Sequence, residues 1–153
     1  MNCIEIIDFE NRYHEDFKRL SYEWLEKYVS VEPEDDKILN DPWGVVLNKG
    51  GYIFFAKYGE EIVGTVSLIK VDDGTFELAK LAVTEKYKGK KIGNALMEKC
   101  MQIAQKVNAK KLMLYTNRRL IPAIELYKKF GFKELSMINN KYIEADMKME
   151  IVI

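Results

Sequence analysis

Residues 75–93 read TFELAKLAVTEKYKGKKIG, and this stretch decides the fold. Thr75 to Val83 carries apolar residues in both alternating sets, as a strand buried on both faces and central in its sheet would. A lysine- and glycine-containing loop from Thr84 to Lys91 follows, and the 3.6-residue apolar period of a helix begins at Ile92. A strand that runs through a glycine-bearing loop into a helix is a natural anion site. The first helical N–H groups lack intrahelical acceptors, and glycine lets a ligand approach the backbone closely. Lys86, Lys88, Lys90 and Lys91 add positive charge. The loop is neither a P-loop nor the three-glycine dinucleotide fingerprint. Taken alone, the stretch fits a phosphate or pyrophosphate site and a solvated lysine-rich turn equally well.

Working outward, Cys3 to Ile7 reads as a first strand. Glu10 to Val29 reads as an amphipathic helix through Tyr13, Phe17, Leu20, Trp24 and Tyr28. Ser30 to Asn40 suits a second helix, with Pro33 and the acids Glu34, Asp35 and Asp36 in its first turn and Asp41-Pro42 as its stop. Tyr52–Tyr58 and Ile62–Val71 are strands joined at Gly59-Glu60, and Asp73-Gly74 turns the second into the central strand. Downstream, Ile92, Leu96, Cys100, Ile103 and Val107 form one helix face that Asn108 caps. Lys111 to Thr116 is a strand. Pro122 opens a helix with apolar face Ala123, Leu126, Tyr127 and Phe130, which Gly131 ends. Phe132–Ser136 and Tyr142–Ile151 complete the strands. The expected architecture is α/β: a mixed, mostly antiparallel central sheet of about seven strands flanked by about four helices, in one domain across residues 1–153.

The chain has 24 basic and 24 acidic side chains and no net charge, which argues against a nucleic-acid coat protein. No apolar run reaches the roughly 18 residues of a membrane span, and the first ten residues carry no Lys or Arg of a secretory signal. Two cysteines are too few for a disulfide scaffold or a cysteine-based zinc site. A cytoplasmic protein without a metal is expected.

Three positions could carry chemistry. Alternation places Glu77 with Ala79, Leu81 and Val83 on one face of the central strand, where desolvation tunes a carboxylate toward a general base. The competing reading is a Glu–Lys pair, with Lys80 at hand. Asn117 follows a strand at its C-terminal end, where ligand contacts gather. Tyr127 is either a core tyrosine or a phenol facing a site. His14, the sole histidine, reads as a helix-surface residue, and Glu32, Glu34, Asp35 and Asp36 as a solvated helix start rather than a calcium loop.

In order and spacing, these segments resemble the GNAT superfamily of acyl-CoA-dependent N-acetyltransferases. Glu77 to Val83 is similar to its fourth strand. Lys88-Gly89-Lys90-Lys91-Ile92-Gly93 is similar to its [Q/R]-x-x-G-x-[G/A] pyrophosphate loop. Asn117, Ala123, Tyr127 and Gly131-Phe132 resemble its N…A…LY…GF segment. The resemblance implies transfer of an acetyl group from acetyl-CoA, as co-substrate, to a primary amine of a small molecule, peptide or protein by direct attack. It implies that the backbone of Leu81, Ala82 and Val83 pairs with the pantetheine arm and that Lys88 to Asn94 hold the pyrophosphate. Asn117 would contact the coenzyme, Tyr127 would protonate the departing thiolate and Glu77 would be the base. Two departures stand out: Lys88 replaces Gln or Arg, and Lys91 replaces the central glycine, which requires a negative φ there if the loop is to tolerate a side chain. A non-catalytic acyl-CoA-binding module on the same fold is the alternative. Expected partners are acetyl-CoA and an amine acceptor, with neither nucleic acid nor membrane, and a homodimer is left open.

Overall fold

The computed structural model describes residues 3–137 and 141–153. One seven-stranded sheet is built from β1 (Ile4–Asp8), β2 (Tyr52–Tyr58), β3 (Glu61–Asp72), β4 (Thr75–Val83), β5 (Lys111–Thr116), β6 (Lys133–Leu135) and β7 (Met147–Val152), in the order β1-β2-β3-β4-β5-β7-β6. Among the described residues only the β4–β5 pair is parallel. The helices are α1 (His14–Tyr28), α2 (Pro33–Asn40), the short α3 (Pro42–Val45), α4 (Ile92–Lys106) and α5 (Ile121–Lys129).

The sheet is covered on both faces. Phe17 and Leu20 of α1, with Ile38 and Leu39 of α2, pack on Ile53 and Phe55. Leu96 and Met97 of α4, with Ile124 of α5, pack on Phe54, Leu78 and Leu112. Strand β2 feeds both cores because its side chains alternate: Ile53 and Phe55 enter one, Phe54 and Ala56 the other. Each fully buried large apolar side chain contributes about 1.5–3 kcal/mol.

Strands β2, β4 and β5 span the residues their sequence patterns predict. Other boundaries move. The second helix starts at Pro33, not Ser30, and Pro42 opens α3 rather than simply ending α2. The last strand is confined to Met147–Val152. The expected strand residues from Tyr142 onward leave the sheet because the backbone N–H groups of Ile143 and Glu144 donate to Glu32 instead of to a neighbouring strand.

Strand β4 holds the feature that shapes the molecule. It pairs with β5 only at Thr75↔Lys111, Phe76↔Leu112 and Glu77↔Met113. Beyond Glu77 the two strands part, while β4 stays registered with β3 as far as Val83. The β3–β4 register also slips: Ala79 opposes Ser67 and Ala82 opposes Thr65, so Lys80 and Leu81 together oppose Val66 in a bulge. Lys80 sits there at φ +56°. The extra residue inverts the alternation. Ala79 and Ala82 pack toward α1 and α2, whereas Leu81 and Val83 pack toward α4. The expected shared face of Glu77, Ala79, Leu81 and Val83 therefore ends at Ala79.

Helix α4 lies close over the sheet because Gly64 of β3 offers no side chain beneath it. A Cβ there would come within 3.1 Å of Ile92 and Leu96 side-chain atoms. Gly64→Val should therefore lower stability by about 1–3 kcal/mol, the usual cost of overpacking. The check is a reduced urea midpoint at unchanged m-value; an unshifted midpoint would show that α4 yields freely.

Candidate active site

A cavity of about 120 Å³ opens where β4 and β5 part. Its floor is β4 from Glu77 to Ala82. The end of β5 and the start of α5 supply Thr116, Asn117, Ala123 and Tyr127 on one side. Helix α1 and the start of α2 supply Ser21, Trp24, Glu32 and Asp35 on the other, and Tyr142 and Glu144 also line it. Of the residues singled out by sequence, Glu77, Leu81, Ala82, Asn117 and Tyr127 all line this cavity. Val83, Lys88, Gly89, Lys90, Lys91, Ile92, Gly93 and Asn94 do not; the loop among them forms a separate rim at the start of α4.

That rim presents unsatisfied backbone donors. Among the described residues, the backbone N–H groups of Gly89 through Asn94 donate to no acceptor, and the first α4 carbonyl partner appears at Ala95, whose N–H reaches Lys91 O. Gly89 at φ +82° and Lys91 at φ +60° turn the chain there. The negative φ expected at Lys91 is not found: the helix start needs the left-handed conformation, and lysine occupies it under strain. On one flank, Glu23 of α1 accepts from the Thr84 hydroxyl at 2.8 Å and from the Glu85 N–H at 3.2 Å. Lys88 donates to the Tyr28 hydroxyl at 3.1 Å. On the other flank, Lys129 of α5 donates to Asn94 at 3.0 Å. Helix α5, which carries Tyr127 into the cavity, thus also touches the rim.

Glu77 is 3% exposed. Its ammonium partner is Lys141 at 2.7 Å, not Lys80, and the Tyr142 hydroxyl donates to it at 3.3 Å. Burial, then the Glu77 charge, pushes the Tyr142 phenol well above its ordinary range. Lys80 instead forms a buried pair with Asp35, and its ammonium lies 5.3 Å from the Tyr142 ring centroid. Tyr127 is buried, its hydroxyl has no hydrogen-bond partner among the described residues, and desolvation pushes its pKa up to about 12. It stays protonated throughout the neutral range. Asn117 donates to the Glu144 carbonyl at 2.6 Å and accepts from the Arg119 N–H at 3.0 Å.

Two sequence expectations give way here. Glu32 and Asp35 are not solvated: they are 8% and 3% exposed. Asp35 accepts from the Glu32 N–H at 2.8 Å in a capping box, and Glu32 accepts from the N–H groups of Ile143 at 2.6 Å and Glu144 at 2.9 Å. His14 is half-buried, with Nε2 2.7 Å from the Leu39 carbonyl and its ring edge-on to Trp43. The sequence reading also missed Ser21, Trp24, Tyr142 and Glu144 as site residues. The acidic start of α2 was the one visible signal for this wall, but its partners lie 45 to 112 residues away.

The model of the acetyltransferase (GNAT) family matches residues 9–132. The chain belongs to that family. An uncharacterized GNAT-type relative, an N-acetyltransferase of Schizosaccharomyces pombe, is 29% identical over 129 residues, covering 78% of this chain and 76% of that protein. Further N-acetyltransferase relatives, from human, rat, Sulfurisphaera tokodaii and Bacillus subtilis, are matched over less than half of their own length. A GNAT acetyltransferase structure from Staphylococcus aureus superposes with TM-score 0.90 at 24% identity, over 98% of this chain and 99% of that one. The PaiA N-acetyltransferase of Thermoplasma acidophilum, solved with coenzyme A, gives TM-score 0.77 at 20% identity over 99% of each chain. The α/β fold expected from sequence is the GNAT fold.

The strain at Lys91 is testable. Lys91→Gly should raise stability by up to about 1 kcal/mol, because glycine adopts positive φ without the Cβ clash. Lys91→Ala keeps that clash and should bring no gain. Urea midpoints of the two variants decide it, and equal midpoints would place the strain elsewhere.

Proposed function

We propose that this GNAT domain is an acetyl-CoA-dependent N-acetyltransferase acting on a primary amine by direct attack. The observation that carries this reading is the parting of β4 from β5 after Glu77, which leaves one edge of β4 from Leu78 to Val83 unpaired along a cavity. An amide-bearing arm can add to that edge as a strand would, meeting the backbone of Leu81, Ala82 and Val83. The free N–H groups of Gly89 to Asn94, with Lys88, Lys90 and Lys91 around them, suit the pyrophosphate. The coenzyme complex of the Thermoplasma relative supports this assignment.

In this reading the neutral amine attacks the thioester carbonyl from the α1–α2 side. A backbone N–H at the Lys80–Leu81 bulge stabilises the oxyanion. Glu77 takes the proton that the amine nitrogen loses, directly or through water. The C–S bond breaks, and Tyr127 gives its proton to the departing thiolate sulfur. Much of the remaining acceleration is positioning.

The direct test follows thiol release from acetyl-CoA with a broad amine panel. Coenzyme binding without turnover on any amine would overturn the reading. Calorimetry should show CoA binding far more tightly than dephosphorylated pantetheine; equal affinities would remove the pyrophosphate from the Gly89–Asn94 rim. Tyr127→Phe should lower kcat on the order of a hundredfold while leaving coenzyme affinity nearly intact, since an acid on the leaving group acts in the transition state. Glu77→Gln should cost a similar factor in kcat. A variant that keeps the wild-type rate would make Glu77 only the anchor of Lys141 and Tyr142.

A further inference from the structure

The cavity wall opposite α5 has an uneven charge pattern. Four carboxylates line the cavity, Glu32, Asp35, Glu77 and Glu144, against one ammonium, Lys80. Three of them have a cation nearby. Asp35 has Lys80, Glu77 has Lys141, and Glu144 has Arg119 at 3.6 Å. Glu32 has none among the described residues, though it is 8% exposed and held only by backbone N–H groups. The N–H groups of Asp35, Ile143 and Glu144 hold that carboxylate as an anion, and an ammonium beside it would supply the counter-charge it lacks.

A second, independent feature marks the same wall. Ser21 of α1 is 2% exposed, lines the cavity, and its Oγ has no hydrogen-bond partner among the described residues. Buried hydroxyls are nearly always satisfied, so one left open on a cavity wall points to a ligand group. One oxygen of Glu144, Oε2, accepts no hydrogen bond among the described residues, though the Arg119 guanidinium lies 3.6 Å from it.

The reacting amine cannot be the missing cation, because it must be neutral to attack. A charge that persists through the reaction has to come from elsewhere on the acceptor. Given the acetyl-transfer reading above, on which this rests, we infer that the acceptor is a small aliphatic diamine, whose second, protonated amino group docks against Glu32 and Ser21. Glu32 and Glu77 line the same cavity of about 120 Å³, so the two amino groups need only a short alkyl spacer between them. Ammonium is also the group that matches the site chemically: it donates three hydrogen bonds, and the open groups here are oxygens.

The experiment compares kcat/KM for cadaverine, for n-hexylamine, which replaces one amino group by a methyl, and for a short peptide with a free N-terminus. Cadaverine should be preferred over n-hexylamine by about tenfold or more, and over the peptide. Glu32→Gln should bring the cadaverine-to-hexylamine ratio toward one. Because Glu32 also holds α2 and residues 143–144, Ser21→Ala is the companion variant: it deletes a hydroxyl that bonds nothing among the described residues, and it should lower the same ratio severalfold with no loss of thermal stability. Equal rates for the two amines, preference for the peptide, or a ratio unmoved by both variants would overturn the inference while leaving acetyl transfer standing. Absence of turnover with every amine would overturn the acetyl-transfer reading, and this inference with it.

Discussion

The buried pair between Lys80 and Asp35 is the constraint on which the site depends. Lysine at φ +56° in the middle of a strand is strained by about 1–2 kcal/mol. Taking its ammonium and the Asp35 carboxylate out of water adds a desolvation cost that their attraction only about offsets. The pair is therefore a weak source of net stability. Its effect is geometric: it pins the β4 bulge to the first turn of α2. From there a continuous rail of polar contacts runs on. Asp35 holds the Glu32 N–H, Glu32 holds the N–H groups of Ile143 and Glu144, and the Glu144 carbonyl accepts from Asn117 at the end of β5. Both sides of the parted sheet are tied together across the cavity. Removing either Lys80 or Asp35 leaves a lone buried charge, so the rail tolerates loss of neither partner.

The rail also explains how a sheet can part without collapsing. Buried backbone N–H and C=O groups need partners, and an open strand edge inside a protein invites closure. Here the bulge turns β4 away from β5, and the segment before β7 is drawn off the sheet by Glu32. Neither strand can slide back to pair with the other. The unpaired β4 edge and the open N–H groups before Ala95 are two sets of unsatisfied donors and acceptors. An elongated ligand with amide groups at one end and phosphates at the other satisfies both, and this complementarity supports the coenzyme reading beyond family membership.

What the sequence disclosed follows the range of the interactions. Strand β4, the loop, α4 and β5 were legible because their signals are local: alternation, glycine placement and helical period lie within a few residues. Glu77 stood out through the alternation of its strand and through the motif shared with a family, Tyr127 chiefly through that motif, and both line the cavity. The bulge was not legible, since AKLAV alternates as well one way as the other until Asp35 arrives to hold Lys80. For the same reason Glu32 and Asp35 read as solvent-facing. An acidic helix start is ordinarily just that, and their burial depends on Lys80 and on residues 143–144, far along the chain. Lys91 misled in the opposite sense: a lysine suggests a normal φ, but the turn into α4 imposes the left-handed one.

The proposed acid–base pair can be examined on the same physical grounds. A phenol with a pKa near 12 is a poor acid toward an ordinary thiolate, whose conjugate thiol lies near 8.5. Transfer from Tyr127 becomes balanced only if the leaving sulfur is as poorly hydrated as the phenol. Burial raises thiols as it raises phenols, and Cys100, on the core face of α4, is pushed far up by desolvation against a small opposing effect of Lys99. A thiolate released beside Tyr127, in a cleft lined there by Ala123 and Leu120, meets the same desolvation. The match between acid and leaving group is thus set by exclusion of water rather than by any charge near Tyr127. In the proposed reaction the charged groups lie on the other wall, where the amine would shed its proton, and an apolar wall faces the thiolate that would gain one.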